Sequence, residues 1–572
     1  MRSLLLLLLT SFSTVAASPT NQIKVDQVGY LSFAPKIAFV VSANPVADFT
    51  VRRKQDDSLV FHGKLSAPVD DTATGDGVRA ADFTSLQKNG TYYLLVPGVG
   101  RSWDFTIAPN VYARAFYLSM RSFYGQRCGT AVDLGPEFPG YKHGACHLVG
   151  AYHQSSGKSG PQESAQGWHD AGDYGRYVVN SGISTGTLLW TWEIFGARIK
   201  NVNLNIPESG NGTPDLLNEV RWNLDWMLTM QDADGGVWHK QTSENFAPFV
   251  MPEVDSSISY VIGTNKEPYK SSCATADFAA VMAIAARAYQ PFNAVYAQKS
   301  LAAAEKAWAW LQKYPDITFR NSSGVITGGY GDNVCGDELL WASAELSRTT
   351  GKEPYENYFL DHFGLFVREL RPVGPPSWPR VAPLGLWTYV LGGGKNQYAI
   401  TTIRQATKKA ADEIVDRTNH NGFRISMTTR DFGWGSNGVA ANYGMQLLVA
   451  NAIRPDAHYV ETAAENLHYL LGRNTFSLSW VTQLGENPFR HPHHRPSAAD
   501  KNPEPWPGLL SGGPNPSRQD AAMSKLPNVP PAKMYLDEQE SYASNEVAIN
   551  WNAPLVFLLA GMLEEKVAGD SH

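Results

Sequence analysis

Two aspartates three residues apart, Asp170 and Asp173, lie in the segment GWHDAGDYGRY (residues 167–177). Carboxylates this close can hold one water between them, and their repulsion keeps at least one basic enough to take its proton. Gly167, Gly172 and Gly175 permit close backbone approach to a ligand, and Trp168, Tyr174 and Tyr177 add rings. A helix-capping aspartate pair would have the same spacing. A second segment, YLDEQESYASNEVAINWNAPL (535–555), carries Asp537, Glu538, Glu540 and Glu546 ahead of a strongly apolar helix. A carboxyl group at the entry of such a helix has its charged form disfavoured, as a general acid needs. Stabilising the helix dipole is the competing role for Glu546.

A third segment, SWVTQLGENPFRHPHHR (479–495), clusters His491, His493, His494 and Arg495 around Pro492. With no Cys or acidic partner at ligand spacing, hydrogen bonding to hydroxyls or to a carboxylate suits it better than a metal. Cys128, Cys146, His147 and His169 make a fourth group. Two thiolates and two imidazoles complete a closed tetrahedral zinc site of the structural kind, and the adjacent Cys146-His147 pair favours that reading. A Cys128–Cys146 disulfide is the alternative.

These segments fall in long loops, 125–174, 232–272 and 473–542, set among helices. Loops of that length in a compact domain usually carry function. Apolar residues three and four apart predict helices over 113–124, 185–199, 214–230, 274–289, 293–311, 338–349, 355–370, 381–391, 398–416, 439–451, 458–471 and 544–563. Thr213 is placed to cap the third, with Pro214 in its first turn. Strands are scarce in this region. Before it, from about residue 22 to 107, short β-prone runs at 37–41, 49–51, 59–61, 91–96 and 103–107 alternate with turn residues and predict a β-sandwich. The reading is thus mainly α, with a small all-β sandwich (18–108) ahead of a helical domain (109–572). No run of Trp suited to a binding platform marks the sandwich.

The first 17 residues have the form of a secretory signal: Arg2, an apolar run from Leu4 to Leu9, then Val15-Ala16-Ala17 before Ser18. The rest of the chain lacks a span long and apolar enough for a bilayer. An exported protein acting outside the cytoplasm is expected. A net charge of −6 without a basic block excludes nucleic acid or an anionic membrane as the expected partner. The 16 Trp and 25 Tyr fit either a large core or a groove floored with rings for sugar faces.

Taken together, the motifs resemble glycoside hydrolase family 9, the cellulase family, in its branch with an N-terminal immunoglobulin-like module. The resemblance covers the whole mature chain. It implies an (α/α)6 barrel behind an immunoglobulin-like sandwich, and inverting endo-hydrolysis of β-1,4-glucans without a catalytic cofactor. Asp173 would be the base, Asp170 its water-holding partner and Glu546 the acid. Tyr535, Asp537, Tyr542, Glu546, Ala548, Asn552 and Ala553 fall at the spacings of one family signature, and residues 479–495 fit the other, which brings His493 and Arg495 to the substrate. Trp434, in WGSN, Tyr542 and Trp551 would line the cleft, although Trp551 stands where many relatives carry Tyr. The four Cys and His residues match a structural zinc site of this branch. Structural calcium is implied too, with Glu208, Asn211 and Asp215 in one loop and Asp332, Asp337 and Glu338 in another. The pairing of Cys273 and Cys335 is left open. An exo-acting β-glucosidase or glucosaminidase is the alternative activity. A monomer is expected, binding crystalline cellulose weakly for want of a further binding module.

Overall fold

The computed structural model describes residues 18–565. The leader-like first 17 residues and the last seven, 566–572, lie outside the described residues. Twelve helices build the large domain: α1 (Ala113–Gly125), α2 (Val178–Ile199), α3 (Asp215–Thr229), α4 (Ser272–Tyr289), α5 (Ala294–Leu311), α6 (Gly336–Thr350), α7 (Glu353–Phe366), α8 (Ala382–Leu391), α9 (Gln397–Asn419), α10 (Ser436–Ile453), α11 (Ala457–Leu470) and α12 (Ile549–Met562). Two single-turn helices, Arg495–Ala499 and Tyr542–Asn545, stand between the last two.

The even-numbered helices are buried along most of their length and, apart from the more polar α6, carry apolar residues all round. Such helices have no face to offer water and must go inside. The later odd-numbered ones, such as α7 and α9, bury one stripe only. The even set packs neighbour to neighbour, α2 on α4, α4 on α6, α6 on α8, α8 on α10, α10 on α12, and α12 closes on α2. This is an (α/α)6 barrel, inner helices ringed by outer ones.

Three expectations need correction. Helix α3 starts at Asp215 after Pro214, with no side-chain cap, so the Thr213 hydroxyl does not cap it. Helix α2 starts seven residues before the periodic window does, because its first turns are buried on every side and show no amphipathic period. The helical domain also holds a four-stranded sheet (Gly150–Tyr152, Ser259–Ile262, Lys240–Thr242, Arg176–Tyr177 in spatial order), whose strands are too short to announce themselves.

The N-terminal sandwich packs a four-stranded sheet on one ordered Gly29–Tyr30, Phe105–Ile107, Gly90–Val96, Asp48–Arg53, Leu59–Lys64. Along Ile37–Val41 successive side chains point to opposite faces. Ala38 and Val40 join the sandwich core, whereas Ile37 and Phe39 join the apolar cluster of the barrel, as do Ala73 and Val78. The Phe39 ring meets Phe423 edge to face at 5.8 Å and lies under the Arg473 guanidinium at 4.7 Å. Among the described residues no helix is long and apolar enough to cross a membrane.

Candidate active site

The three loop segments converge through backbone hydrogen bonds. The Gly172 carbonyl accepts from Arg495 N (3.2 Å), His493 N donates to the Asn545 carbonyl (2.9 Å), and Ile549 N donates to the Asp170 carbonyl (2.9 Å). Gly172 is required here, since a Cβ would sit 1.9 Å from the His493 carbonyl oxygen. The result is a cleft of about 850 Å³ that Asp170, Asp173 and Glu546 line together with Trp434, His493, Arg495, Tyr542 and Trp551.

The two aspartates are held differently. Asp170 accepts from Asn180 Nδ2 through one carboxylate oxygen and from the Tyr330 hydroxyl through the other, each at 2.6 Å. Burial, then the neighbouring Asp173, pushes its pKa up to about 8. Asp173 accepts the Tyr177 hydroxyl (3.0 Å) and Gly175 N (3.1 Å) on Oδ2 alone, which leaves Oδ1 for a ligand. Glu546 sits in extended backbone three residues before α12. Its carbonyl accepts from Gly512 N (2.7 Å). Burial, then Asp173 and Asp170, raises its pKa well above the ordinary carboxylate range.

Around the carboxylates, Trp434 is 45% exposed, with its ring 5.6 Å from that of Tyr542. His493 donates from Nδ1 to the Gln539 carbonyl (2.7 Å), so its neutral form presents Nε2 as an acceptor. Arg495 departs from a purely substrate-facing role: its guanidinium donates to the carbonyls of Gly172 (2.6 Å) and Ala247 (2.8 Å), pinning two cleft loops together. The Trp551 indole packs against Gly435 and Gly438, where any Cβ would clash with it. Sequence reasoning missed Phe246, Trp378, Tyr330 and Asn550 among the lining residues. Tyr330 stands inside the segment read for calcium, and Phe246 and Trp378 are single rings in Pro-containing loops with no periodic signal.

Beside the cleft, the ligand atoms of Cys128, Cys146, His147 and His169 all lie within 4.8 Å of one another. Both cysteines are buried and free, so the disulfide alternative is not adopted. His147 Nε2 meets Asp255 at 3.1 Å while its Nδ1 is buried without a partner, the arrangement of a metal-binding imidazole oriented by a carboxylate. Burial lowers the pKa of His169 to about 4, leaving it neutral as a ligand must be.

The two loops read for calcium differ. Glu208 spends both carboxylate oxygens on Arg127 (2.9 Å each), Asp215 accepts Leu204 N (2.8 Å) and Asn211 pairs with Asn218 (3.1 Å). The chain's own donors thus satisfy that set. In the other, Asp332 Oδ2 and both oxygens of Glu338 are buried without a donor, and so are both of Asp277, a residue the sequence did not single out. Asp337 uses Oδ2 to accept Val381 N (2.9 Å). A disulfide between Cys273 and Cys335 ties together the starts of α4 and α6, which carry Asp277, Asp337 and Glu338.

The family model for glycosyl hydrolase family 9 matches residues 112–559, and that for the cellulase N-terminal ig-like domain matches residues 18–101. The chain belongs to glycosyl hydrolase family 9. It is 39% identical over 548 residues to Endoglucanase D of Acetivibrio thermocellus, covering 95% of this chain and 83% of that one. A xyloglucan-specific endo-β-1,4-glucanase of Bacteroides ovatus is 35% identical over 572 residues, covering 95% and 94%. Among solved structures, a Zn-binding triple mutant of the family 9 endoglucanase J30 superposes with a TM-score of 0.88 at 34% identity, covering 94% of this chain and all of that one. The family 9 assignment makes this protein a glycoside hydrolase, with the barrel as its catalytic domain.

Proposed function

We propose that this family 9 hydrolase is an exported, inverting endo-β-1,4-glucanase. The observation that carries the reading is the meeting of two differently held aspartates with an uncharged-favouring glutamate in one ring-lined cleft. Glu546 gives its proton to the glycosidic oxygen as the bond from the anomeric carbon breaks. Water, held between Asp170 and Asp173, forms the new bond to that carbon from the opposite face and loses its proton to Asp173. Asp170, with both oxygens already bound, suits holding the water better than taking the proton. Trp434, Trp378 and Trp551 offer faces on which pyranose rings stack. The names of the matched relatives support an endo-acting glucanase, and the leader-like N-terminus supports export.

Proton NMR of the first-formed product tests the mechanism. The α-anomer should appear first from a β-linked chain, and the β-anomer would overturn inversion. Rapid viscosity loss on a soluble β-glucan is expected of endo cleavage; release of one terminal unit without viscosity loss would favour the exo-acting alternative.

The four-residue cluster is proposed to hold zinc through Cys128, Cys146, His147 and His169. A closed site supplies folding energy and no chemistry of its own. Because His169 precedes Asp170, it would stiffen the loop bearing the aspartates. The purified protein should carry about one zinc per chain, and Cys146→Ser should lower both the metal content and the melting temperature. Elemental analysis finding no zinc in the intact enzyme would sink the assignment.

Calcium is proposed at Asp332, Asp337 and Glu338, now with Asp277; of these, Asp332 Oδ2 and both oxygens of Glu338 and of Asp277 are buried without donors. Chelation with EGTA should lower the melting temperature, and added calcium should restore it. An unchanged melting temperature after verified calcium removal would refute this site.

A further inference from the structure

Lys240 is wholly buried on the strand Lys240–Thr242, directly opposite Tyr177 in the antiparallel pairing. Its ammonium has only neutral acceptors: Asn321 Oδ1 (2.8 Å), Thr327 Oγ1 (3.0 Å), and the carbonyls of Thr327 (3.2 Å) and Gly328 (2.8 Å). A buried charge without an ionic partner is costly, so its presence calls for a reason. The segment it holds ends at the catalytic pair. Gly328 lies against the Tyr177 ring, where a Cβ would come within 3.1 Å of Cζ. Two residues on, the Tyr330 ring packs on Tyr177 with centroids 4.8 Å apart. The Tyr177 hydroxyl donates to Asp173 and the Tyr330 hydroxyl to Asp170. The neighbouring His239 grips the same segment, donating from Nε2 to the Gly329 carbonyl (2.8 Å) and stacking on Phe319 at 3.7 Å.

We propose that Lys240 is a positioning residue of the hydrolytic reaction, tying residues 327–329 against Tyr177 and so setting the two tyrosine hydroxyls that hold Asp170 and Asp173. The proposal rests on the assignment of those aspartates above. The ionisable groups facing Lys240 are Asp173 and Tyr177 across the sheet and His239 beside it. Burial lowers its pKa to about 7, with Asp173 acting the other way, so on the acid side of neutrality it is a cation near that carboxylate.

The test is kcat and KM of the full-length enzyme on soluble mixed-linkage β-glucan. Lys240→Met and Lys240→Gln should lower kcat roughly 10- to 100-fold, the scale of a small misplacement of reacting groups, while KM changes less than about twofold. Lys240→Arg keeps the charge, and kcat should still be reduced, since a planar fork cannot reproduce a point donor. Folded Met or Gln variants with wild-type kcat would overturn the proposal, as would a rise in KM at constant kcat. If neither folds, Lys240→Arg decides: a lowered kcat at wild-type KM supports positioning, and wild-type kcat refutes it. Asp173→Asn separates the two ideas. If it is fully active, the base assignment fails whatever Lys240 does; if it is inactive while Lys240→Met matches wild type, only the present proposal fails.

Discussion

Glu546→Gln should all but abolish cleavage of cellulose chains, by roughly 10²- to 10⁴-fold, the usual worth of a general acid. It should spare much of the activity on an oligoglucoside with a nitrophenol leaving group, which departs without a proton. Asp173→Asn should damage both reactions, because water must be activated whatever leaves. Asp170→Asn should follow Asp173→Asn less severely. Burial and two neighbouring carboxylates disfavour the charged form of Glu546, which suits it to giving a proton. Inversion forms no covalent intermediate, so mass spectrometry should trap no glycosyl-enzyme in any variant. Equal loss of both substrates in Glu546→Gln, with the activated one spared in Asp173→Asn, would reverse the roles.

Deleting residues 18–108 should leave a barrel that is largely insoluble or melts far below the intact protein. The sandwich shares a core with the barrel rather than hanging from a linker. Removing it strips Ile37, Phe39, Ala73 and Val78 from the barrel's apolar cluster. Burying one large apolar side chain is worth about 1.5–3 kcal/mol, so several together rival the whole stability of a domain, about 5–15 kcal/mol. Polar groups are stranded too. Arg473 loses the Ile37 carbonyl (3.1 Å), and His468 loses Asp26 (2.8 Å), a carboxyl that burial pushes up to about 8. KM of any soluble fraction should change little, since no sandwich residue lines the cleft. A truncated enzyme with wild-type melting temperature and activity would refute this supporting role.

Much of the architecture was legible along the chain because helices and strands report their own periodicity. The windows from 113 to 471 locate eleven helices to within a few residues at most ends. The clear exception is α2, whose start at Val178 carries no polar face for periodicity to detect. The motifs likewise mark through residue type which groups come together: neighbouring carboxylates with a glutamate ahead of an apolar helix, and two Cys with two His.

What the sequence could not decide is which donors each oxygen meets, because those donors come from distant segments. Glu208 looks like a calcium ligand beside Asn211, yet Arg127, 81 residues earlier, takes both its oxygens. Asp277 looks like one polar residue in an apolar helix, yet it faces the carboxylates of α6. Cys273 and Cys335 could be seen but not paired until α4 and α6 were packed side by side. The difference in bonding between Asp170 and Asp173 follows the same rule. They are equivalent in the motif, and they differ because Tyr330, 160 residues on, and Asn180 occupy both oxygens of one, while Tyr177 and a backbone amide share a single oxygen of the other. Spacing along the chain therefore set which groups were available for chemistry. Burial and hydrogen bonds across the closed barrel decided which of them is left with an oxygen free to act.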